Sequence, residues 1–274
     1  MTAPLRRVLL RAPGGSDGWE RCGWRAEPHQ TAIAREHERL CATLEQAGAE
    51  VVLAESLADG NPDAIYVFDP VLVASDEAIL LNPGKECRRS EPAALGEDLG
   101  RADVRIAGRL EGDAHAEGGD LIRLDEQTLL VGRGYRTNDA GIAELRRLLP
   151  DVGVIVFDLP HWHGRSEVMH LLSLLSPLAP DLVVGYPPLM PVRLAELLEE
   201  RGIEIVAVPD KEFETMGSNV LALAPRVALA VDGNPETRRR LERAGVEVEV
   251  YEGTELSKGD GGPTCLTQPL LRAG

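Results

Sequence analysis

Gly245-Val-Glu-Val-Glu-Val250 decides the fold, because the chain repeats its pattern five times. Each copy is a glycine or tight turn followed by the alternating apolar residues of a strand. The others are Ala47-Gly-Ala-Glu-Val-Val52, Gly100-Arg-Ala-Asp-Val-Arg-Ile106, Val152-Gly-Val-Ile-Val-Phe157 and Gly202-Ile-Glu-Ile-Val206. They recur about every 50 residues, and periods of about 20–50 residues mark repeat architectures. Helical spacing leads into the copies. Ile33, His37, Leu40, Cys41 and Leu44 run up to Gly48, Leu194, Leu197 and Leu198 run up to Gly202, and Asn234-Pro235 starts a helix that Gly245 ends. The second copy is the weak one, since no helix is well defined between Glu91 and Leu99. Five units of strands plus one helix predict an α/β fold, a five-bladed α/β propeller closed into a ring with its helices outside. A doubly wound α/β sheet is the alternative, but it gives no reason for a fixed period.

The 274 residues carry a net charge of −16. That balance argues against nucleic acid, whose phosphates need a basic surface. It suits a cationic small substrate by field steering, and equally suits plain solubility. No stretch of about 18 apolar residues exists, so no membrane span is expected. The apolar run Val8-Leu9-Leu10 is too short for a signal-peptide core. Cys22, Cys41, Cys87 and Cys265 are widely spaced and form no Cys-x-x-Cys pair, which points to a reducing cytoplasm. The oligomeric state is left open, a homodimer included.

In a closed ring, loops from several units converge on a central cavity, so polar residues that break the apolar pattern carry the functional signal. Cys265 lies in Lys258-Gly-Asp-Gly-Gly-Pro-Thr-Cys265, a loop-forming stretch that presents one thiol as a nucleophile or buries it as a small hydrophobe. Asp63 and Asp69 bracket Ala-Ile-Tyr-Val-Phe. As strand residues six apart they would share a face suited to a cation, and as neighbours of Pro62 and Pro70 they would be turn residues. Glu117-Gly-Gly-Asp120 permits close backbone approach, or is a tight turn with solvent-facing acids. Arg136-Thr-Asn138 opens the helix carrying Ile142, Leu145, Leu148 and Leu149. It is a carboxylate site or a cap with a solvated arginine. Arg88-Arg89 says little alone, and His170 at a helix start reads as a core residue or a catalyst. His115, His161 and His163 make no zinc spacing, so no metal is expected.

The order of these segments resembles the guanidine-modifying enzymes of the arginine deiminase superfamily, most closely its dimethylarginine dimethylaminohydrolase branch. Six separated segments match in order over nearly the whole chain, so residues 1–274 are read as a single guanidine-modifying domain. The resemblance independently implies the five-bladed α/β propeller. It implies Cys265 as nucleophile, His170 as general acid and base, and Glu117 as the carboxylate supporting the histidine and the guanidinium. Asp69 is implied as the main guanidinium-binding acid, Asp63 as a further substrate contact, and Arg88 with Arg136 as the pair near the substrate α-carboxylate. The partner is then a small cationic guanidino compound, with no metal or organic cofactor. Three departures stand out. Phe68 replaces a glutamate, Gly259 replaces an aliphatic residue, and His170-Leu-Leu172 lacks the His-x-Asp of deiminases. An apolar Leu172 leaves room for methyl groups and forfeits a bond to NH₂. The resemblance therefore points to Nω-methylated arginine, with arginine or another free guanidino compound as the alternative, and a non-catalytic binding propeller as a remote one.

Overall fold

Every repeated signature is the last strand of a three-stranded blade. The computed structural model describes residues 1–14, 18–56, 60–74, 77–164 and 169–273. In chain order, β1 (Leu5–Leu10) leads through α1 (Gln30–Gln46) to β2 (Glu50–Leu53). Next come β3 (Val71–Ala74), β4 (Glu77–Leu80), α2 (Glu91–Arg101) and β5 (Arg105–Arg109). The third unit is β6 (Leu121–Arg123), β7 (Thr128–Arg133), α3 (Asp139–Leu148) and β8 (Gly153–Asp158). The single turn α4 (Leu171–Leu174) precedes β9 (Leu175–Ala179), β10 (Leu182–Gly185), α5 (Val192–Glu200) and β11 (Glu204–Ala207). The single turn α6 (Asp210–Phe213) precedes β12 (Val220–Ala224), β13 (Val227–Val231), α7 (Pro235–Arg243) and β14 (Glu247–Tyr251), and β15 (Gln268–Arg272) follows.

Five sheets result, each an antiparallel pair extended by a parallel strand: β15-β1-β2, β3-β4-β5, β6-β7-β8, β9-β10-β11 and β12-β13-β14. The parallel pair needs a crossover, which the helix of each unit supplies. β15 pairs with β1, so the two ends of the chain complete one blade and close the ring. The described structure is therefore the five-bladed α/β propeller read from the period. Apolar clusters fill the spaces between blades. Leu9, Val71, Leu80, Leu95 and Leu99 lie in one, and Ile79, Leu121, Leu129, Ile142 and Leu145 in the next.

One local reading needs correction and one open choice is resolved. The second helix is fully formed as α2, with Pro92 in its first turn and Leu95 and Leu99 buried. Gly96 lowers its helical signal, but a Cβ there would sit 3.1 Å from Leu80, so glycine serves the packing. Asp63 and Asp69 are not on a strand. Pro62–Ile65 is a 3₁₀ turn and 67–70 is a turn, because prolines at 62 and 70 deny the ladder its N–H donors. Both acids are nonetheless buried. No helix among the described residues is long and apolar enough to cross a membrane.

Candidate active site

The first strand of each blade, β15, β3, β6, β9 or β12, is entered by a short irregular segment, and those five segments carry the site. Asp69 lies two residues before β3, Glu117 to Asp120 make a 3₁₀ turn before β6, and His170 is the N-cap of α4 before β9. Asn219 immediately precedes β12, and Cys265 precedes β15. Hydrogen bonds link the five segments into a closed circuit. Gly119 N–H donates to Asp69 Oδ1 at 2.7 Å, His170 Nε2 meets Glu117 Oε2 at 2.9 Å, and Ser218 Oγ donates to the Ser173 carbonyl at 2.7 Å. Asn219 Nδ2 donates to Cys265 Sγ at 3.2 Å, and Phe68 N–H donates to the Cys265 carbonyl at 3.3 Å. Thiol, imidazole and two carboxylates are thus held by four different blades, and the fifth supplies Asn219.

The acids are paired by cations. Arg88 reaches Asp69 Oδ2 at 2.5 Å, Glu91 Oε2 at 2.8 Å and the Tyr66 carbonyl at 2.8 Å. Arg136 Nη1 lies 3.1 Å from both Glu117 oxygens. Lys85 Nζ lies 2.5 Å from Asp63 Oδ2, while Trp24 Nε1 donates to Asp63 Oδ1 at 2.8 Å. Arg88 and Arg136, implied by the resemblance as the pair near the substrate α-carboxylate, thus both contact acids here. Arg88 is buried in an ion network, because an interior guanidinium must have its charge met. Arg136 is only partly buried.

Electrostatics follow from that packing. Burial opposes the His170 imidazolium, but Asp69, Asp120 and the Glu117 hydrogen bond outweigh it and raise its pKa to about 9. Burial also works against the Glu117 carboxylate, yet His170 and Arg136 hold it well below the usual range. Burial pushes the Cys265 thiol up to about 11, Asp69 adds to this, and the Gly262 N–H, Asn219 and Arg88 act against it. The resting site thus holds a thiol and an imidazolium in one hydrogen-bonded circuit, and an arriving cation would favour the thiolate.

Several supporting residues escaped the sequence reading. Asn219 holds both ends of its side chain on the nucleophile loop, its Oδ1 receiving the Thr264 N–H at 3.1 Å. The signal was its place in the repeat, one residue before a blade's first strand. Asp120 accepts from Leu171 N–H at 3.1 Å and Thr137 Oγ1 at 2.6 Å, and burial lifts its carboxyl to about 7. Thr137 Oγ1 also receives the Glu117 N–H, and Asn138 caps α3 as expected. The glycines of Glu117-Gly-Gly-Asp120 are needed for close approach. A Cβ at Gly119 would collide with the His170 ring, and one at Gly118 with the Phe68 carbonyl. Gly259 has the same explanation, since its Cβ would lie 2.5 Å from Trp24 and 2.6 Å from Tyr66 Oη.

Phe68 and Leu172 pack into one apolar cluster with Ile122 and Leu130. Both also line a cavity of about 660 Å³ with Val71, Leu121, Val220 and Leu270, which none of Asp69, Glu117, His170 or Cys265 touches. Phe68 and Leu172 thus share one largely apolar cavity beside the four site residues. Of the turn-rich stretch from Gly14 to Pro28, residues 15–17 lie outside the described residues. Trp19 and Trp24 pack edge to face at 4.6 Å, and Trp24 stacks on Tyr66 at 5.7 Å. His115, His161 and His163 do not converge. They meet the Asn82 carbonyl, Tyr135 and Glu214 respectively.

The family model for arginine deiminase matches residues 103–197 and 190–272, more than half of the chain. An N(G),N(G)-dimethylarginine dimethylaminohydrolase of Streptomyces coelicolor is 32% identical over 281 residues, covering 97% of this chain and 98% of that one. The enzyme of the same name from Pseudomonas aeruginosa is 26% identical, covering 96% and 98%. An arginine deiminase of Rhodococcus erythropolis is 32% identical but covers 58% of this chain and 47% of its own. Among solved structures, dimethylarginine dimethylaminohydrolase from Pseudomonas aeruginosa with citrulline has a TM-score of 0.80 at 21% identity, covering 98% and 100%. The N-terminal domain of the cyanobacterial arginine dihydrolase ArgZ has a TM-score of 0.84 at 20% identity, covering 97% and 98%. At those identities the structures speak for the fold. The sequence matches place the chain in the arginine deiminase family, close to dimethylarginine dimethylaminohydrolase, as an amidine hydrolase.

Proposed function

We propose that the protein hydrolyses the guanidinium group of Nω-methylated arginine to citrulline and methylamine or dimethylamine. The observation that carries this reading is the hydrogen-bonded circuit that holds Cys265, His170, Glu117 and Asp69 together from different blades. A guanidinium stays protonated at working pH, so its carbon is attackable only when carboxylates hold its plane and a thiolate approaches. Asp69 and Glu117 are the acids for that plane, with Asp63 beside them. Arg136, the more accessible of the two arginines, is released from Glu117 as the substrate guanidinium replaces it, and turns to the α-carboxylate.

The cation favours loss of the Cys265 proton to solvent, and the thiolate adds to the guanidinium carbon. The C–N bond to the methylated nitrogen breaks as that nitrogen takes the proton of His170. An S-alkylthiouronium remains. His170, now neutral, accepts a proton from water, the hydroxide adds to the same carbon, and the C–S bond breaks as the added hydroxyl gives its proton to the leaving sulfur, so that citrulline, the Cys265 thiol and the His170 imidazolium result. Methylated substrate is favoured because no acid stands at Leu172 to bind a second NH₂, whereas the missing glutamate at Phe68 is the feature that favours unmethylated arginine. A buried charge-assisted hydrogen bond is worth about 1.5–3 kcal/mol, while each buried methyl gains up to about 0.8 kcal/mol.

The test is kcat/KM for dimethylarginine, monomethylarginine, arginine and agmatine, read as citrulline-type product and released amine, with and without EDTA. The methylated forms should lead, agmatine should do poorly for want of an α-carboxylate, and chelation should change nothing. Cys265→Ser should lose turnover by roughly 10⁶, the scale of removing a nucleophile, while Cys41→Ser retains it. Arginine outrunning both methylated forms would replace the substrate and leave the roles of Cys265 and His170 standing. A metal requirement would redirect the chemistry to Asp69, Glu117 and His170, whose ligand atoms lie within 4.8 Å of one another.

A further inference from the structure

Cys22 and Cys87 take no part in the chemistry above, yet they form a second cluster with Asp63. Their Sγ atoms and one Asp63 carboxylate oxygen all lie within 4.8 Å of one another. Cys22 Sγ lies 3.3 Å from Asn61 Oδ1, and Cys87 Sγ lies 4.0 Å from Asp63 Oδ2. Asn61 is fixed in place. Its Nδ2 donates to the Cys87 carbonyl and to Glu91 Oε1, both at 2.6 Å, and its Oδ1 receives the Asp63 N–H at 3.0 Å. Cys22, Asn61 and Asp63 are buried, and Cys87 is half-buried. A positive charge already rests here. Lys85 Nζ lies 2.5 Å from Asp63 Oδ2 and 2.5 Å from the Cys22 carbonyl. Trp24 Nε1 occupies the other Asp63 oxygen.

We propose that Cys22, Cys87 and Asp63, with Asn61 Oδ1 as fourth donor, form a site for a thiophilic divalent cation of the zinc or cobalt type. Two thiolates with one carboxylate and one amide oxygen make a four-coordinate set of mixed softness, which suits those ions and not magnesium or calcium. Zinc–thiolate bonds are about 2.3 Å, so two sulfurs on one ion lie within about 4.6 Å. The cluster closes on the ion by small side-chain rotations. Binding displaces the Lys85 ammonium and releases two thiol protons to solvent. The ion would fasten the loop of Cys22, next to Trp24, to the turn that carries Arg88. The site goes beyond the proposed hydrolysis and touches it only at Asp63.

The test reads metal and not turnover, so it stands or falls apart from the functional reading. Cys265→Ser protein, reduced and stripped with EDTA, is titrated with Co²⁺ without oxygen. One ion should bind per chain with a near-ultraviolet thiolate-to-cobalt charge-transfer band, and equimolar Zn²⁺ should abolish the band. Adding Cys22→Ser or Cys87→Ser should weaken Co²⁺ binding by at least about tenfold and reduce the band. Asp63→Asn should weaken binding and keep the band. Alkylation mapped by peptide on the Cys265→Ser parent avoids any folding defect of the variants. Zn²⁺ should protect Cys22 and Cys87 and leave Cys41 unchanged. Absence of the band in the parent, its survival in the protein lacking both Cys22 and Cys87, or unprotected Cys22 and Cys87 would each overturn the site.

Discussion

His170 shows how residue-scale charge sets a working range. With Asp69, Asp120 and Glu117 around it, its imidazolium persists to about pH 9. The leaving amine needs that proton, so kcat should fall as pH rises through about 9, measured with one methylated substrate across the alkaline range. The same shift bears on stability. The folded value lies above the ordinary histidine value of 6.5. The contribution is therefore fully present below about pH 6.5 and is lost as pH rises through about 9. His170→Gln should flatten that part of the stability profile, and an unchanged profile would exclude the charge network as its source. Arg88 makes a second case. If it only met a substrate carboxylate, Arg88→Ala would raise KM and spare the fold. Buried against Asp69 and Glu91, it should instead leave both acids without a cation and cost about 3–5 kcal/mol, read by chemical denaturation.

At the scale of elements, the last strand of each blade was legible because β2, β5, β8, β11 and β14 follow a helix and alternate in sequence. The first strands were not, since Leu175–Ala179 and Val220–Ala224 are buried almost throughout and show no alternation. The site segments share a place in every blade but no common sequence, so Asp69, Glu117, His170 and Cys265 stood out as polar breaks in the pattern, gained their roles only through the family resemblance, and Asn219 did not stand out at all. Asp63 and Asp69 stayed open between strand and turn, because the apolar run between them fits a strand while Pro62 and Pro70 fit turns, and the prolines decide. The glycine turn before β6 gives the sharpest element-scale prediction. Gly119→Ala adds a methyl group that the His170 ring must vacate. A displacement of about 1 Å at a reacting group costs about 100-fold. Gly119→Ala should therefore lose about that factor in kcat, whereas Gly100→Ala, whose Cβ meets nothing within 4 Å, should spare kcat.

The whole molecule supplies what the site lacks. Locally the charges nearly balance, because Asp63, Asp69 and Glu117 are met by Lys85, Arg88 and Arg136. The net charge of −16 lies mostly elsewhere on the ring. Such a field acts at long range, steers cations inward and is screened by salt. The Debye length shrinks from about 30 Å at 0.01 M to about 8 Å at 0.15 M. If the −16 steers substrate, kcat/KM for a methylated arginine, which carries one net positive charge, should fall severalfold across that range while kcat holds. Agmatine carries two net positive charges, so its kcat/KM should fall more steeply even though its absolute value is low. Equal salt slopes for the two compounds would show that the acidic surface serves solubility alone, and that capture rests wholly on the carboxylates of the site.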